Sequence, residues 1–217
     1  MHWAEKLARE VIERNPNKEE YVCAAGISPS GAVHIGNFRD IATSYYVVRA
    51  LQKLGKKAKL LFSWDEFDRL RKVPSNVAKI TEGFEKYLGM PYAEIPDPYG
   101  ERASYAEYNE KVFEKSLEEL DIHPDYRYQA KEYTSNRYGE HIVFALTKRK
   151  EIYDLLMKYK TQEENAEERE KYAPVNVYCS ACKKDVTEVI SVSDDGETLT
   201  YRCKLCGKEE NRYDHYQ

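Results

Sequence analysis

The stretch from Tyr21 to Trp64 constrains this chain most: an apolar run, a glycine loop, a helical period and a second apolar run follow one another without interruption. Tyr21-Val22-Cys23-Ala24-Ala25 is continuously apolar and ends at Gly26, the pattern of a strand buried on both faces. From His34 to Leu54 the residues Ile35, Phe38, Ile41, Ala42, Tyr45, Val48 and Leu51 recur three or four apart, which is a helical period. Gly55-Lys56-Lys57 stops that helix, and Ala58 to Trp64 reads as a second strand running into the acidic cluster Asp65, Glu66 and Asp68. Strand, helix, strand is a βαβ unit, which pairs its strands in parallel and presents its loops at their carboxyl ends. Chemistry is therefore expected at Gly26 to Asn37 and at Asp65 to Arg69. The fold class that follows is α/β, a Rossmann-like parallel sheet with flanking helices.

Around this unit the periodicities predict an entering helix over Met1 to Arg14, stopped by Asn15-Pro16-Asn17. They also predict a helix near Val77 to Leu88 and an irregular excursion through Gly89, Pro91, Pro96, Pro98 and Gly100. A helix over Tyr105 to Leu120 is expected to turn Tyr108, Val112, Phe113, Ser116 and Leu117 to one face. Asp125 to Ala130 is a candidate third strand, and Gly139 to Tyr159 reads as one long helix. The five glutamates between Glu163 and Glu170 read as a solvated helix face. Pro174 marks a boundary, after which short strand-like segments replace helical spacing. Two domains are expected, a nucleotide-binding part over 1–173 and a small module over 174–217.

With 217 residues, 41% of them apolar, and with 19 Tyr and 6 Phe, the chain can bury one ordinary core and an appendage. The formal charge of -4 gives no general attraction to nucleic acid, so any RNA contact has to come from a local basic patch. No apolar run approaches a membrane span, and the first residues lack the apolar segment of a secretory signal. A cytoplasmic protein with no membrane partner is expected.

The cysteines are organised. Cys179-Ser180-Ala181-Cys182 and Cys203-Lys204-Leu205-Cys206 flank a twenty-residue spacer, while Cys23 stands alone within the first strand. Two such knuckles offer four thiolates to one Zn²⁺, and four protein ligands leave no open coordination position. A structural zinc site is expected. The spacer carries Asp194-Asp195-Gly196 between alternating apolar segments, which reads as a hairpin and makes the module a zinc ribbon. Cys23 reads as core.

Ser28-Pro29-Ser30-Gly31-Ala32-Val33-His34-Ile35-Gly36-Asn37 closes the strand-to-helix turn. Glycines let a ligand approach the backbone, a helix N-terminus presents free N–H groups, and an imidazole can bond phosphate oxygens. The tetrapeptide His34 to Asn37 alone reads first as a capped helix with a satisfied histidine. Its setting between a glycine loop and an acidic strand end points to a nucleoside triphosphate.

These residues carry a resemblance. Gly26-Ile27-Ser28-Pro29-Ser30-Gly31 followed by His34-Ile35-Gly36-Asn37-Phe38-Arg39 is similar to the HIGH region of class I lysyl-tRNA synthetases. Trp64 to Pro74, Ile95 to Gly100, Ser104 to Glu107 and the two cysteine pairs match in order, so the likeness spans nearly the whole chain. It implies ATP-dependent activation of lysine, with Mg²⁺, and transfer to tRNA(Lys). His34 and Asn37 would be catalytic. Pro29, Ser30, Gly31, His34, Gly36 and Asn37 would hold ATP, and Gly26 and Ser28 would line the amino-acid site.

Asp65 and Asp68 are candidates for the substrate ammonium groups, or equally strand-end caps or ion pairs with Arg69 or Arg71. Some members of the family carry a second metal site after the position of Asp97, but Glu101, Arg102 and Tyr108 stand here, so none is expected. Asn211 to Gln217 shows no strand or helix, and no KMSKS-type lysine loop precedes Gln217. A fragment, one part of a split enzyme working with a C-terminal half in trans, or a truncated paralogue is expected. The alternatives are an adenylating enzyme for another carrier, and an RNA- or protein-binding module using Lys183, Lys184, Arg202, Lys204 and Lys208.

Overall fold

The computed structural model describes residues 2–160 and 165–212. The chain forms two compact units. One comprises Met1–Asp68, Val73–Phe84 and Tyr92–Ala130; the other comprises Arg69–Lys72, Glu85–Pro91 and Lys131–Gln217.

The first unit is the βαβ fold and one further strand. Strands β1 (Tyr21–Ile27), β2 (Ala58–Trp64) and β3 (Asp125–Tyr128) form a parallel sheet in the order β1-β2-β3. Registers such as Gly26↔Ser63, Ile27↔Trp64 and Trp64↔Tyr128 align the three carboxyl ends. Helix α1 (Trp3–Arg14) packs Ala4 and Ala8 against Val47 and Leu51 of α2 (Ile35–Lys53). Sequence-read limits match closely here because stops are explicit: Asn15 caps α1, and Gly55 follows α2 at φ 77°. Cys23 is half-buried and packs against both apolar clusters, as a core residue does.

Leu60, Phe62 and Trp64 project alternately from β2 onto Phe113 and Leu117 of α4 (Tyr105–Glu119), giving a core in which Phe62 and Trp64 are fully buried. The buried face of α4 differs from the expected one. Val112 is half exposed, whereas Asn109, Glu110 and Glu114 are buried beside Tyr105, Phe113 and Leu117. Hydrogen bonds make burial of Glu114 tolerable: its carboxylate accepts Trp64 Nε1 at 3.0 Å, Tyr128 Oη at 2.7 Å and Lys111 Nζ at 2.6 Å. A hydrophobic periodicity assigns charged residues outward and cannot anticipate this.

Three expected elements are shorter or broken. Only Ser75–Ala78 (α3) is α-helical between Val77 and Leu88, because Gly83 turns the backbone to φ 72° before a 3₁₀ turn at Phe84–Tyr87. The third strand ends at Tyr128. Gln129 and Ala130 instead begin α5 (Gln129–Thr134), drawn there by Glu66, whose carboxylate accepts both of their N–H groups at 2.9 Å. In the second unit the expected long helix is two, α6 (Gly139–Thr147) and α7 (Arg149–Met157). No proline or glycine marks the break; buried Arg149 makes it, donating to the carbonyls of Leu146 and Val192.

The second unit is built on a three-stranded antiparallel ribbon, β4 (Thr187–Val192), β5 (Leu199–Cys203) and β6 (Glu209–Arg212), in the order β4-β5-β6. The expected hairpin is β4-β5. Strand β6 was not expected, and it takes in Asn211 and Arg212, which had no sequence sign of a strand because its four residues alternate no apolar side chains; Tyr213 to Gln217 lie outside the described residues. Leu146 of α6 completes the ribbon core with Val177, Leu199 and Tyr201. Gly196 at the hairpin tip has φ 72°, and a side chain there would sit 2.8 Å from the carbonyl oxygen of Val143. Helix α8 (Ala166–Lys171) exposes Glu167, Glu168 and Glu170, a solvated face as read; Glu163 and Glu164 lie outside the described residues. No described helix is long and apolar enough to cross a membrane.

Candidate active site and candidate metal centre

The loop from Gly26 to His34 leaves the carboxyl end of β1 and enters α2, and Asp65 to Asp68 leave the adjacent end of β2. Gly26 is where the two meet. A Cβ at this position would lie 3.0 Å from the Ser63 carbonyl oxygen, 3.1 Å from Ser63 Cβ and 3.7 Å from Asp65 Oδ2, so any side chain would crowd the backbone of β2, and glycine lets the strands close without that strain. Ser28 donates its hydroxyl to Asp68 Oδ2 at 2.6 Å, and Ser30 N–H bonds back to the Ser28 carbonyl at 2.8 Å. Tyr105 reaches from α4 to donate to the Ser30 carbonyl at 3.0 Å, which fixes the loop from the far side.

His34 is the N-cap of α2: its Nδ1 accepts Gly36 N–H at 3.1 Å. A ring that accepts this bond at Nδ1 carries its proton, when neutral, on Nε2, and the residue is exposed. Gly36 suits this cap, since a Cβ would lie 2.9 Å from His34 Cε1 and push the imidazole aside. The two readings of the tetrapeptide thus coexist in one geometry. His34 caps the helix through one nitrogen and presents an N–H donor through the other, beside the positive end of a nineteen-residue helix. Asn37 lies one turn in, half-buried, and Pro29 is buried under the loop.

The acidic side is more elaborate than the sequence suggests. Asp65 accepts Ser63 Oγ at 3.2 Å, Ser63 accepts Gln129 Nε2 at 2.6 Å, and burial raises the Asp65 carboxyl above the usual range, assisted by nearby Asp68. Neither Asp65 nor Asp68 forms an ion pair among the described residues; Arg69 pairs with Asp185 instead. Glu66 points the other way and anchors α5, and burial lifts its carboxyl to about 7 against the pull of those N–H groups. Glu110, behind it on α4, is pushed by burial and by the charges of Glu66 and Glu114 to about 8, and its Oε1 has no hydrogen-bond partner. Sequence reading saw Glu66 only as a member of an acidic cluster and missed Asp40, Tyr105, Glu110 and Gln129. For Glu66 and Glu110 no signal existed, because a glutamate in an otherwise polar run looks exposed. Asp97 is a turn organiser, accepting N–H bonds from Tyr99, Glu101 and Arg102.

The four cysteines of the ribbon converge. All four Sγ atoms lie within 4.8 Å of one another, with Cys179 to Cys206 and Cys182 to Cys203 at 3.6 Å. Tetrahedral zinc with bonds near 2.3 Å requires sulfurs about 3.8 Å apart, so this set fits such an ion. The two knuckles repeat one local geometry. Cys179 N–H bonds to the Lys184 carbonyl and Cys203 N–H to the Lys208 carbonyl; Lys183 and Gly207 N–H return to Cys179 and Cys203. The residue after each second cysteine is left-handed, Lys183 at φ 61° and Gly207 at φ 73°.

That equivalence gives a test, since a non-glycine residue pays roughly 1 kcal/mol for this conformation. Lys183→Gly is expected to raise the ribbon's unfolding midpoint slightly and Gly207→Ala to lower it. Equal, small effects of both substitutions in thermal melts would refute the assignment.

Residues 1–214 match the family described as tRNA synthetases class I (K). The lysine–tRNA ligase of Treponema pallidum is 40% identical over 210 residues, 97% of this chain and 39% of that protein. Those of Thermococcus kodakarensis and Methanocaldococcus jannaschii are 40% and 37% identical, over 91% and 96% of this chain and 36% and 38% of theirs. The chain spans about two fifths of the length of these curated relatives.

Proposed function

The chain belongs to the class I (K) tRNA synthetase family, and from that premise we propose that it supplies the ATP- and amino-acid-binding portion of a lysine–tRNA ligase acting in the cytoplasm. Residues 1–173 form the catalytic portion in this reading, and 174–217 a zinc-ribbon insertion. In the first reaction a lysine carboxylate oxygen attacks the α-phosphorus of ATP and pyrophosphate departs, leaving lysyl-adenylate. In the second a terminal ribose hydroxyl of tRNA(Lys) attacks the lysyl carbonyl carbon and AMP departs.

One observation carries the proposal: the Gly26–Asn37 loop, the amino end of α2 and the carboxylates Asp65 and Asp68 gather at the aligned carboxyl ends of β1 and β2. This is the crevice where parallel α/β sheets take their ligands. His34, donating through Nε2, and Asn37 stabilise charge on the α-phosphate in the transition state, and the helix dipole adds to them. Pro29, Ser30, Gly31 and Gly36 shape the backbone against the nucleotide, whose phosphates bring Mg²⁺. Gly26 and Ser28 line the lysine site. Asp65 and Asp68 serve the ammonium groups, since an ammonium leaving water needs a carboxylate partner. Ser28 holds one of these carboxylates in place.

The four thiolates Cys179, Cys182, Cys203 and Cys206 hold zinc, which joins the knuckles and leaves no position for substrate. In this reading the KMSKS-type loop that the family resemblance implies belongs to a further C-terminal portion, in the same chain or added in trans. A separate RNA-binding role for the ribbon would draw on Lys183, Lys184, Arg202, Lys204 and Lys208, of which Arg202, Lys204 and Lys208 each pair with a glutamate.

The test is lysine-dependent exchange of pyrophosphate into ATP, with the C-terminal portion of a relative added in parallel. His34→Ala should lower exchange about 100-fold, the usual cost of removing one transition-state donor. Exchange driven by another amino acid, or an unchanged rate in His34→Ala, would sink the reading.

A further inference from the structure

The outer edge of β1 is not bare. Tyr21 N–H and the Ile27 carbonyl bond across to the β2 side, at Lys57 and Asp65, so the intervening even-numbered residues Val22, Ala24 and Gly26 turn their backbone groups the other way. Two side chains of α2 take two of those groups. Ser44 Oγ donates to the Ala24 carbonyl at 2.9 Å, and Gly26 N–H donates to Asp40 Oδ2 at 3.3 Å. Asp40 and Ser44 are four residues apart and so lie on one face of the helix, each meeting the edge two residues along from the other.

Gly26 is thereby held from both sides. Ser63 of β2 would crowd a side chain on one side, and the Asp40 carboxylate holds the N–H on the other. We propose that Asp40, with Ser44 behind it, is a positioning residue that clamps the end of β1 and sets where Gly26 presents its backbone to the bound amino acid. The functional half of this inference rests on the lysine-activation reading above; the clamp itself rests on the strand geometry alone. Asp40 acts as a hydrogen-bond acceptor, so an amide oxygen can replace it. A carboxylate acting through its charge on a substrate ammonium could not be replaced in that way.

The experiment compares Asp40→Ala, Asp40→Asn and Ser44→Ala. Amide hydrogen exchange at Gly26, read by NMR, is expected to be slow in the parent chain, at least tenfold faster in Asp40→Ala, and slow again in Asp40→Asn. The dissociation constant of a non-hydrolysable lysyl-adenylate analogue is expected to rise about tenfold in Asp40→Ala, a factor in keeping with one hydrogen bond to a charged group, and to return close to the parent value in Asp40→Asn. Ser44→Ala leaves the Gly26 bond in place and should change each by less than threefold. Thermal melts on all three check that Asp40, an exposed residue, does not govern folding. An unchanged Gly26 exchange rate in Asp40→Ala overturns the clamp. Binding as weak in Asp40→Asn as in Asp40→Ala overturns the positioning role. If the parent chain itself fails to bind the analogue, the lysine reading fails, while the exchange rates still decide the clamp.

Discussion

Cys203→Ala is expected to abolish zinc binding by the ribbon and to unfold it. The four sulfurs are brought together by two short turns and by the pairing of β4 with β5, and only a small apolar core, centred on Tyr201, Leu199, Val177 and Leu146, supports them. A core of that size cannot offset the conformational entropy of its loops. Apparent zinc-binding free energies in such sites are about 10–16 kcal/mol, and they are folding free energy. Metal analysis should find one zinc per parent chain and none in Cys203→Ala. Limited proteolysis should cut the variant, or the chelator-treated parent, between Pro174 and Arg212 first. Equimolar zinc in Cys203→Ala, or a ribbon still protected after chelation, would show that the thiols are not a metal centre.

The second large effect is a fall in stability with rising pH in the unit that holds the parallel sheet. Glu110 is 4% exposed, its Oε1 is unpartnered, and its carboxyl sits near 8, while Glu66 sits near 7. Both values are raised, so the folded chain binds these protons more tightly than the unfolded chain, whose glutamates ionise near 4.5. Stability from these groups is complete below that value. It declines as pH rises from there, because only the unfolded chain releases the protons, and the loss is complete once pH has passed 7 and 8, where the buried carboxyls ionise in the fold as well. Each pKa unit is worth about 1.4 kcal/mol, so Glu110 alone is worth a few kcal/mol between pH 5 and 9. That corresponds to a melting-point drop on the order of 10 °C. Glu110→Gln, uncharged at every pH, should flatten most of the slope and melt higher than the parent at pH 9. A parent melting point independent of pH from 5 to 9 would refute the burial argument.

Linear sequence resolved best those features whose physics is local. Helix stops at Asn15 and Gly55, the strand pair Tyr21 to Ile27 and Ala58 to Trp64, and the cysteine spacing each depend on a few adjacent residues. Where the sequence reading erred, the deciding atom came from elsewhere in the chain. Glu66 ended β3 by capturing the N–H groups of Gln129 and Ala130. Arg149 broke a helix with no breaker in it by bonding a carbonyl forty-three residues away, that of Val192. Trp64, Lys111 and Tyr128 made burial of Glu114 tolerable and so turned α4 to a different face.

The candidate site divides in the same way. By itself the sequence determined that a glycine loop and His34 stand between a buried strand and a helix, and that an acidic cluster ends the next strand, because period and spacing are properties of the chain. Only the tertiary structure decided that Ser28 takes Asp68, that Ser63 and Gln129 hold Asp65, and that Asp40 reaches back to Gly26. These are contacts between residues far apart in sequence, and packing, which no periodicity encodes, sets which of several equivalent carboxylates finds which partner.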